Sequence, residues 1–320
     1  MRKAALFYNP LSGRRRRHRV ADVEAVLAVV RAAGVEADAA VTMPAEGAAG
    51  QVREAIAQGC DTILACGGDG TIHDLLQGLV GGDVALGVVP LGTANALAHD
   101  LCVPFSPVQA ARAALRAERR RFAVGKIECL GLEGKSRSRY FTVAAGIGVD
   151  AHLFYELSPS LKGSTGMAAY YAKAWHLWMT HRMEYFQAEY TEAGASASRE
   201  AVLTELLAVR IRNFGGVLGE LAPGASLDRN DLRLVLCQTA SRSRYLLYIL
   251  RGLLGQSRNV GGIDLAYAEK ISCRSLPPPE GSKDTRRKTY VEADGELLGT
   301  LPAEISLVPN AFSLLVPPRK

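Results

Sequence analysis

The chain has 320 residues, 48% of them hydrophobic and 22% charged, which excludes a disordered or collagen-like protein. At that length a single hydrophobic core has stopped growing, so two domains are expected. The formal net charge is +6 and the pI about 9.0, a balance that favours anionic partners such as nucleotides, nucleic acid or an acidic membrane surface.

Residues 3–8 (KAALFY) read as a strand ended by the turn NPLSG. Val20, Val23, Val26, Leu27 and Val30 recur at helical spacing up to a stop at Gly34. VEADAAVT is a second strand ending at Thr42, followed by a helix over Ala49–Gln58. TILAC, apolar throughout as a buried parallel strand is, leads into CGGDGTIHDL and a helix over Ile72–Leu79. ALGVVP is a fourth strand, then LGTAN and a helix from Ala96. Such alternation with short connections predicts a parallel sheet covered by helices on both faces.

Beyond Arg121 the texture changes. FAVGKIECLGLE, SRYFTVAAGIGVD, FQAEYTEA, TELLAVRIRNF and DLRLVLCQ are strand-like and joined by Gly- and Ser-rich turns, which predicts an antiparallel sandwich. Helical segments at Gly166–Met183 and Arg242–Gln256 interrupt them. A basic, Pro-rich loop, LPPPEGSKDTRRKT, precedes the final strands YVEADGELLGT and AEISLVPNAFSLLVP. The expected division is an α/β domain over 1–122, a β-sandwich domain over 123–308, and a segment over 309–320 returning to the first domain. The six cysteines form no C-x-x-C pair and read as small apolar residues of a reducing compartment. MRKAALFYNP lacks the features of a signal peptide, and no apolar run reaches the length of a membrane span, so a cytoplasmic protein is expected.

Three loops follow parallel strands: Asn9-Pro10-Leu11-Ser12-Gly13, Gly67-Gly68-Asp69-Gly70-Thr71 and Gly92-Thr93-Ala94-Asn95. Each glycine alone is as readily a turn as a phosphate contact. On one rim, at the carboxyl ends of the strands, bare backbone N–H groups suit an anionic ligand. Neither a GxxxxGK[ST] loop nor a GxGxxG fingerprint after the first strand is present, which disfavours Walker-type and standard dinucleotide folds.

GGDGT (67–71), PLGTAN (90–95), NPLSG (9–13) and DGE (294–296) resemble, in order and spacing, the motifs of the diacylglycerol kinase catalytic-domain family. That family includes sphingosine, ceramide and soluble bacterial lipid kinases, and NAD kinases are its more distant relatives. The resemblance implies an ATP-dependent kinase with an α/β nucleotide domain, a β-sandwich second domain and an active site in the interdomain cleft. It implies that Asn9, Pro10, Ser12, Gly13, Thr42, Gly67, Gly68, Asp69, Gly70, Thr71, Gly92, Thr93 and Asn95 line the ATP site. Thr42 is carried over by its place after the second strand alone, and a plain strand-end threonine is the equal alternative. Asp69 is implied as the carboxylate that manages Mg²⁺, an ion that favours carboxylate and water oxygens. Glu296 is implied as the proton acceptor, with Asp294 beside it, and Asp69 could play either part. Two carboxylates two residues apart on a strand point the same way, whereas a solvated D-G-E hairpin is the bland alternative.

The chain departs from the family pattern at three places. His73-Asp74 stands where Asn-Glu is common, Ala96 where many members have Asp, and Arg229-Asn230 where a structural-metal loop has Asp-Gly. Asp228 is the candidate ligand that survives in that loop and Asp231 one that could compensate, with a lost or altered site as the equal alternative. Met167, Tyr171, Trp175 and Trp178 form one apolar helical stripe, and Leu246, Leu247, Leu250 and Leu254 another beside Arg242, Arg244, Arg251 and Arg258. Both suit peripheral contact with a membrane, although core packing is the commoner use of such stripes. The expected function is phosphorylation of a lipid hydroxyl, of diacylglycerol or a long-chain base, at a membrane surface. A NAD-kinase-like activity and a catalytically silent regulator are the alternatives. Arg14–Arg17, Arg119–Arg121 and Arg286–Lys288 lack interleaved aromatics, so no nucleic-acid partner is expected. A homodimer remains open.

Overall fold

The computed structural model describes residues 1–10, Gly13, 18–43, 46–149, Ala151, 179–180, 183–215, 219–277 and 288–318. Ser12, the Arg14–Arg17 run and the Met167–Trp178 stripe lie outside the described residues. The chain divides into unit 1 (Met1–Val124, Ile211–Glu220, Val308–Lys320) and unit 2 (Gly125–Arg210, Leu221–Leu307).

Unit 1 contains β1 (Lys3–Tyr8), α1 (Arg19–Ala32), β2 (Glu36–Val41), α2 (Glu46–Ala57), β3 (Thr62–Gly67), α3 (Asp69–Leu79), β4 (Ala85–Pro90), α4 (Ala96–Asp100) and α5 (Pro107–Arg116). The sheet runs β2-β1-β3-β4, all parallel, and the C-terminal end of β14 (Glu296–Val316) extends it by pairing Ser313 with Ala85 and Leu314 with Leu86. Every residue of β3 and β4 is buried, as their unbroken apolar sequences require. From β1 the chain moves to the sheet edge through α1. It then returns past β1 through α2 and α3. Right-handed crossovers place these two directions of travel on opposite faces, and α1 packs with α5 while α2 packs with α3. The reversal lies between β1 and β3, where open α/β sheets bind ligands.

Unit 2 is antiparallel throughout. Its strands are β5 (Glu118–Gly131, which begins in unit 1), β6 (Ser136–Phe141), β7 (Ala144–Gly148), β8 (Phe186–Glu192), β9 (Ser198–Leu203), β10 (Glu205–Val209), β11 (Leu232–Cys237), β12 (Ile263–Ser275), β13 (Tyr290–Ala293) and most of β14. The helix α6 (Arg242–Leu253) stands between β11 and β12. Pairings run β7-β10-β11-β12, then β12 to β14, β14 to β13 and β13 back to β7, so this set of strands closes on itself. Ile147, Leu206, Leu234, Ile271, Val291 and Ile305 fill one core within it.

The structure differs from the sequence expectation at several elements. The helix after GGDGT starts at Asp69 rather than Ile72, with Gly68 as its extended N-cap. SRYFTVAAGIGVD is two strands, because the peptide N–H groups of Thr142, Val143 and Ala144 go to a side chain instead of a ladder. PVQAARAALR, SREAVL and IDLAYAEKISCRS, unassigned from sequence, are α5, β9 and β12.

Candidate active site

The carboxyl ends of β1, β3 and β4 are level: Tyr8 pairs with Cys66, Cys66 with Val89, and Gly67 with Pro90. This register brings the loops that follow into contact. Leu91 N donates to Gly67 O at 2.8 Å. A Cβ on Gly92 would lie 2.3 Å from Gly68 Cα and 2.7 Å from Asn95 Oδ1. Gly13, at φ +68°, is equally tight, since a Cβ there would lie 2.3 Å from Leu91 O. The loops after the three strands therefore meet backbone to backbone, at a separation no side chain permits.

Asn95 shapes the third loop. It adopts a left-handed conformation, φ 52° and ψ 48°. Its side chain accepts from Gly92 N at 2.9 Å and donates to Gly92 O at 3.1 Å, closing the turn through both amide atoms. Thr93 at the tip is exposed. Asp69, half-buried as the first residue of α3, accepts a long 3.4 Å bond from Leu97 N. Thr42 follows β2 beside β1, its N–H donating to Tyr8 O at 2.9 Å, and its buried Oγ1 has no hydrogen-bond partner among the described residues. His73 is buried on α3, one turn beyond its start.

Arg19 belongs to this junction, and sequence reasoning passed over it. As the first residue of α1 it is 2% exposed, and Nη2 donates to Leu91 O at 2.6 Å. The same nitrogen would lie 3.1 Å from a Cβ on Gly13. Its guanidinium is thus fixed beneath the loops, with Nη1 3.8 Å from Asp22 Oδ2. Burial pushes the Cys66 thiol below them up to about 12, with Arg19 pulling the other way. The visible signal was an arginine directly ahead of the Val23, Val26 and Val30 stripe.

Asp294-Gly295-Glu296 lies in unit 2 and is not the strand expected for it. Asp294 and Gly295 form the two-residue connection from β13 to β14, at φ 50° and 82°. The two carboxylates differ in surroundings. Asp294 is turned back onto its own unit, accepting from Thr142 N (3.0 Å), Val143 N (2.9 Å) and Ala144 N (3.2 Å), while its N–H donates to Ala144 O at 2.8 Å. Glu296 is exposed at the start of β14. Glu292, buried behind the turn, accepts from Gly295 N at 2.8 Å.

The residues expected at a structural metal do not fit one. Both oxygens of Asp231 accept from Arg229, from Nε and Nη2 at 2.6 Å each, and Asp228 is exposed. A guanidinium holds the carbonyls of this loop: Arg210, fully buried, donates through Nη1 to Arg229 O (3.0 Å) and Asp231 O (2.7 Å), and through Nη2 to Leu227 O (3.1 Å). Burial lowers its pKa to about 10, so it is charged at neutral pH. No cluster of three or more His, Cys, Asp or Glu side chains suited to a metal occurs among the described residues.

Residues 3–127 match the family model of the diacylglycerol kinase catalytic domain. The chain is 28% identical over 325 aligned positions to a diacylglycerol kinase of Bacillus subtilis, covering 100% of this chain and 98% of that one. It is 25% identical over 320 positions to one of Mycobacterium tuberculosis, covering 98% and 95%. Its fold matches the crystal structure of a diacylglycerol kinase from Bacillus anthracis with a TM-score of 0.68 at 20% identity, covering 99% of this chain and 97% of that one. Yeast NADH kinase complexed with NADH matches with a TM-score of 0.51 at 11% identity over 100% of this chain and 84% of that one, a likeness of fold alone. Residues 3–127 are thus similar to the diacylglycerol kinase catalytic domain, and the likeness to diacylglycerol kinases extends along the whole chain.

Proposed function

We propose that the chain transfers the γ-phosphoryl group of ATP to the hydroxyl of a lipid alcohol, diacylglycerol being the foremost candidate. The observation that carries this reading is the backbone junction where Gly13 meets Leu91 and Gly92 meets Gly68, at which neither Gly13 nor Gly92 has room for a Cβ. Phosphoryl transfer asks of a protein chiefly positioning and charge neutralisation, and such a junction supplies positioning. Arg19 beneath it, held by Leu91 O and paired with Asp22, fixes the junction in place. Thr42 Oγ1, buried and lacking a described partner at the same rim, offers a hydroxyl to the nucleotide.

In this reading Asn9, Pro10, Ser12, Gly13, Gly67, Gly68, Gly70, Thr71, Gly92 and Thr93 line the nucleotide site, and Asn95 fixes its third loop. The Asp69 carboxylate, half-buried at the rim, is the kind of oxygen donor Mg²⁺ takes; it would hold the ion directly or through water, and the ion would neutralise phosphate charge. Glu296 takes the proton of the lipid hydroxyl. The hydroxyl oxygen bonds to the γ-phosphorus, the bond from that phosphorus to the β-phosphate oxygen breaks, and ADP leaves. Asp294 is a positioning residue, holding through three peptide N–H groups the turn that carries Glu296.

The test is incubation of the full chain with γ-labelled ATP, Mg²⁺ and, in parallel, diacylglycerol, a long-chain base, a polyprenol and NAD. Label on diacylglycerol or another lipid is expected. Label on NAD alone, or on no acceptor, overturns the reading.

A further inference from the structure

The helix α6 has two faces of opposite character. Successive residues advance by about 100° around an α-helix. Leu246, Leu247, Leu250, Leu253 and Leu254 therefore share one stripe roughly 120° wide. All five are exposed, from 40% at Leu246 and Leu247 to 62% at Leu254, so this stripe does not serve the core. The opposite face does. Tyr248 is 4% exposed and donates to Leu221 O at 2.9 Å, and the Tyr245 hydroxyl lies 2.8 Å from Thr204 Oγ1. Two tyrosines bonded inward fix the helix so that its leucines face outward.

Charge borders the stripe. Arg242 flanks one margin, and Arg244 and Arg251 the other. Arg244 donates to Gly261 O at 3.1 Å and Arg251 to Asn259 O, neutral acceptors that hold each guanidinium without cancelling its charge. Residues 239–262 contain four arginines, counting Arg258, and no Asp or Glu. An apolar stripe rimmed by cations complements one surface in particular, acyl chains beneath anionic headgroups. No helix of the described residues is long and apolar enough to cross a membrane, so α6 would lie along the surface rather than span it.

We infer that α6 docks the protein on an anionic lipid bilayer, its leucines entering the acyl boundary and its arginines pairing with headgroup phosphates. This rests on the lipid-kinase reading for its purpose, but not for its physical basis. The test is flotation of the full chain with vesicles of phosphatidylcholine alone, or with about one third phosphatidylglycerol, followed by Leu250→Ser/Leu254→Ser and Arg242→Gln/Arg251→Gln. Binding to anionic vesicles alone is expected, falling roughly tenfold or more in each variant while the unfolding midpoint stays at the wild-type value. Wild-type protein that stays in the aqueous phase, or variants that float like wild type, overturn the proposal. So does a sedimentation-velocity dimer that the leucine variant dissolves, which assigns the stripe to a second copy of the chain. Phosphorylation of monomerically dissolved dihexanoylglycerol separates the two readings. Variants that keep this activity but lose vesicle activity support docking, whereas vesicle binding without kinase activity on either substrate removes the kinase reading and leaves docking standing.

Discussion

Unit 1 and unit 2 each carry a polar loop system rich in sequence motif, and they treat their polar groups in opposite ways. At the unit 1 rim, backbones meet at Gly13, Gly68 and Gly92, with a buried Thr42 hydroxyl that bonds to none of the described residues. In unit 2 the corresponding groups are engaged internally. The Asp294 carboxylate holds three peptide N–H groups, and Arg210 holds three carbonyls. The difference teaches how to read an Asp-Gly pair: Asp69-Gly70 opens a helix at the rim where the loops meet, and Asp294-Gly295 closes a hairpin. A carboxylate whose lone pairs are engaged by its own fold is a brace rather than a reagent.

Substitution can break this contrast. The largest effect is expected from Asp69→Asn and Glu296→Gln, each lowering kcat by about 10²- to 10⁴-fold with urea unfolding little changed. Wild-type turnover in both would remove them from the chemistry. Next, Arg210→Met leaves three buried carbonyls without donors and should cost about 3 kcal/mol or more in unfolding free energy. Gly92→Ala forces a Cβ onto the Gly68 backbone and should lower kcat/KM for ATP by roughly 10²-fold, since misplaced phosphates lose their alignment. Asp294→Asn gives up charge-assisted acceptance and should cost about 2 kcal/mol, with kcat reduced and the KM for ATP unchanged. A KM effect instead would place Asp294 at the nucleotide. The smallest effect is the sharpest: if a guanidinium occupies the cation position of the 225–232 loop, chelating divalent ions should move the unfolding midpoint no more than a neutral surface substitution does, by about 0.5 kcal/mol or less.

How much of this was legible beforehand depended on the kind of signal. β3 and β4 announce themselves, because a strand buried on both faces has no polar position to hide. The start of α3 at Asp69 was not legible, since Gly67, Gly68 and Gly70 are poor helix formers and contact with the other loops sets the boundary. Arg210 looks like surface charge in a chain with 38 Lys and Arg residues, and Arg19 is set apart only by its place ahead of the valine stripe of α1. The inward turn of Asp294 depends on peptide groups about 150 residues away in sequence, beyond the reach of any local pattern. The stripe of α6 was plain, but periodicity alone does not say which face meets the core. Tyr245 and Tyr248 decide it.

The strand Ser313–Leu314 completes the edge of the unit 1 sheet beside β4, and Asp100 in the same unit accepts from Arg212 N and Asn213 N at 2.9 Å each. During synthesis, then, β4 leaves the ribosome as a bare, wholly apolar edge, and its partner is translated more than 200 residues later. A fragment ending at residue 127 holds the family-defining sequence but not the strand that closes its sheet. The nascent chain must shield that edge until Ser313 and Leu314 have emerged, which makes their arrival a folding step of unit 1.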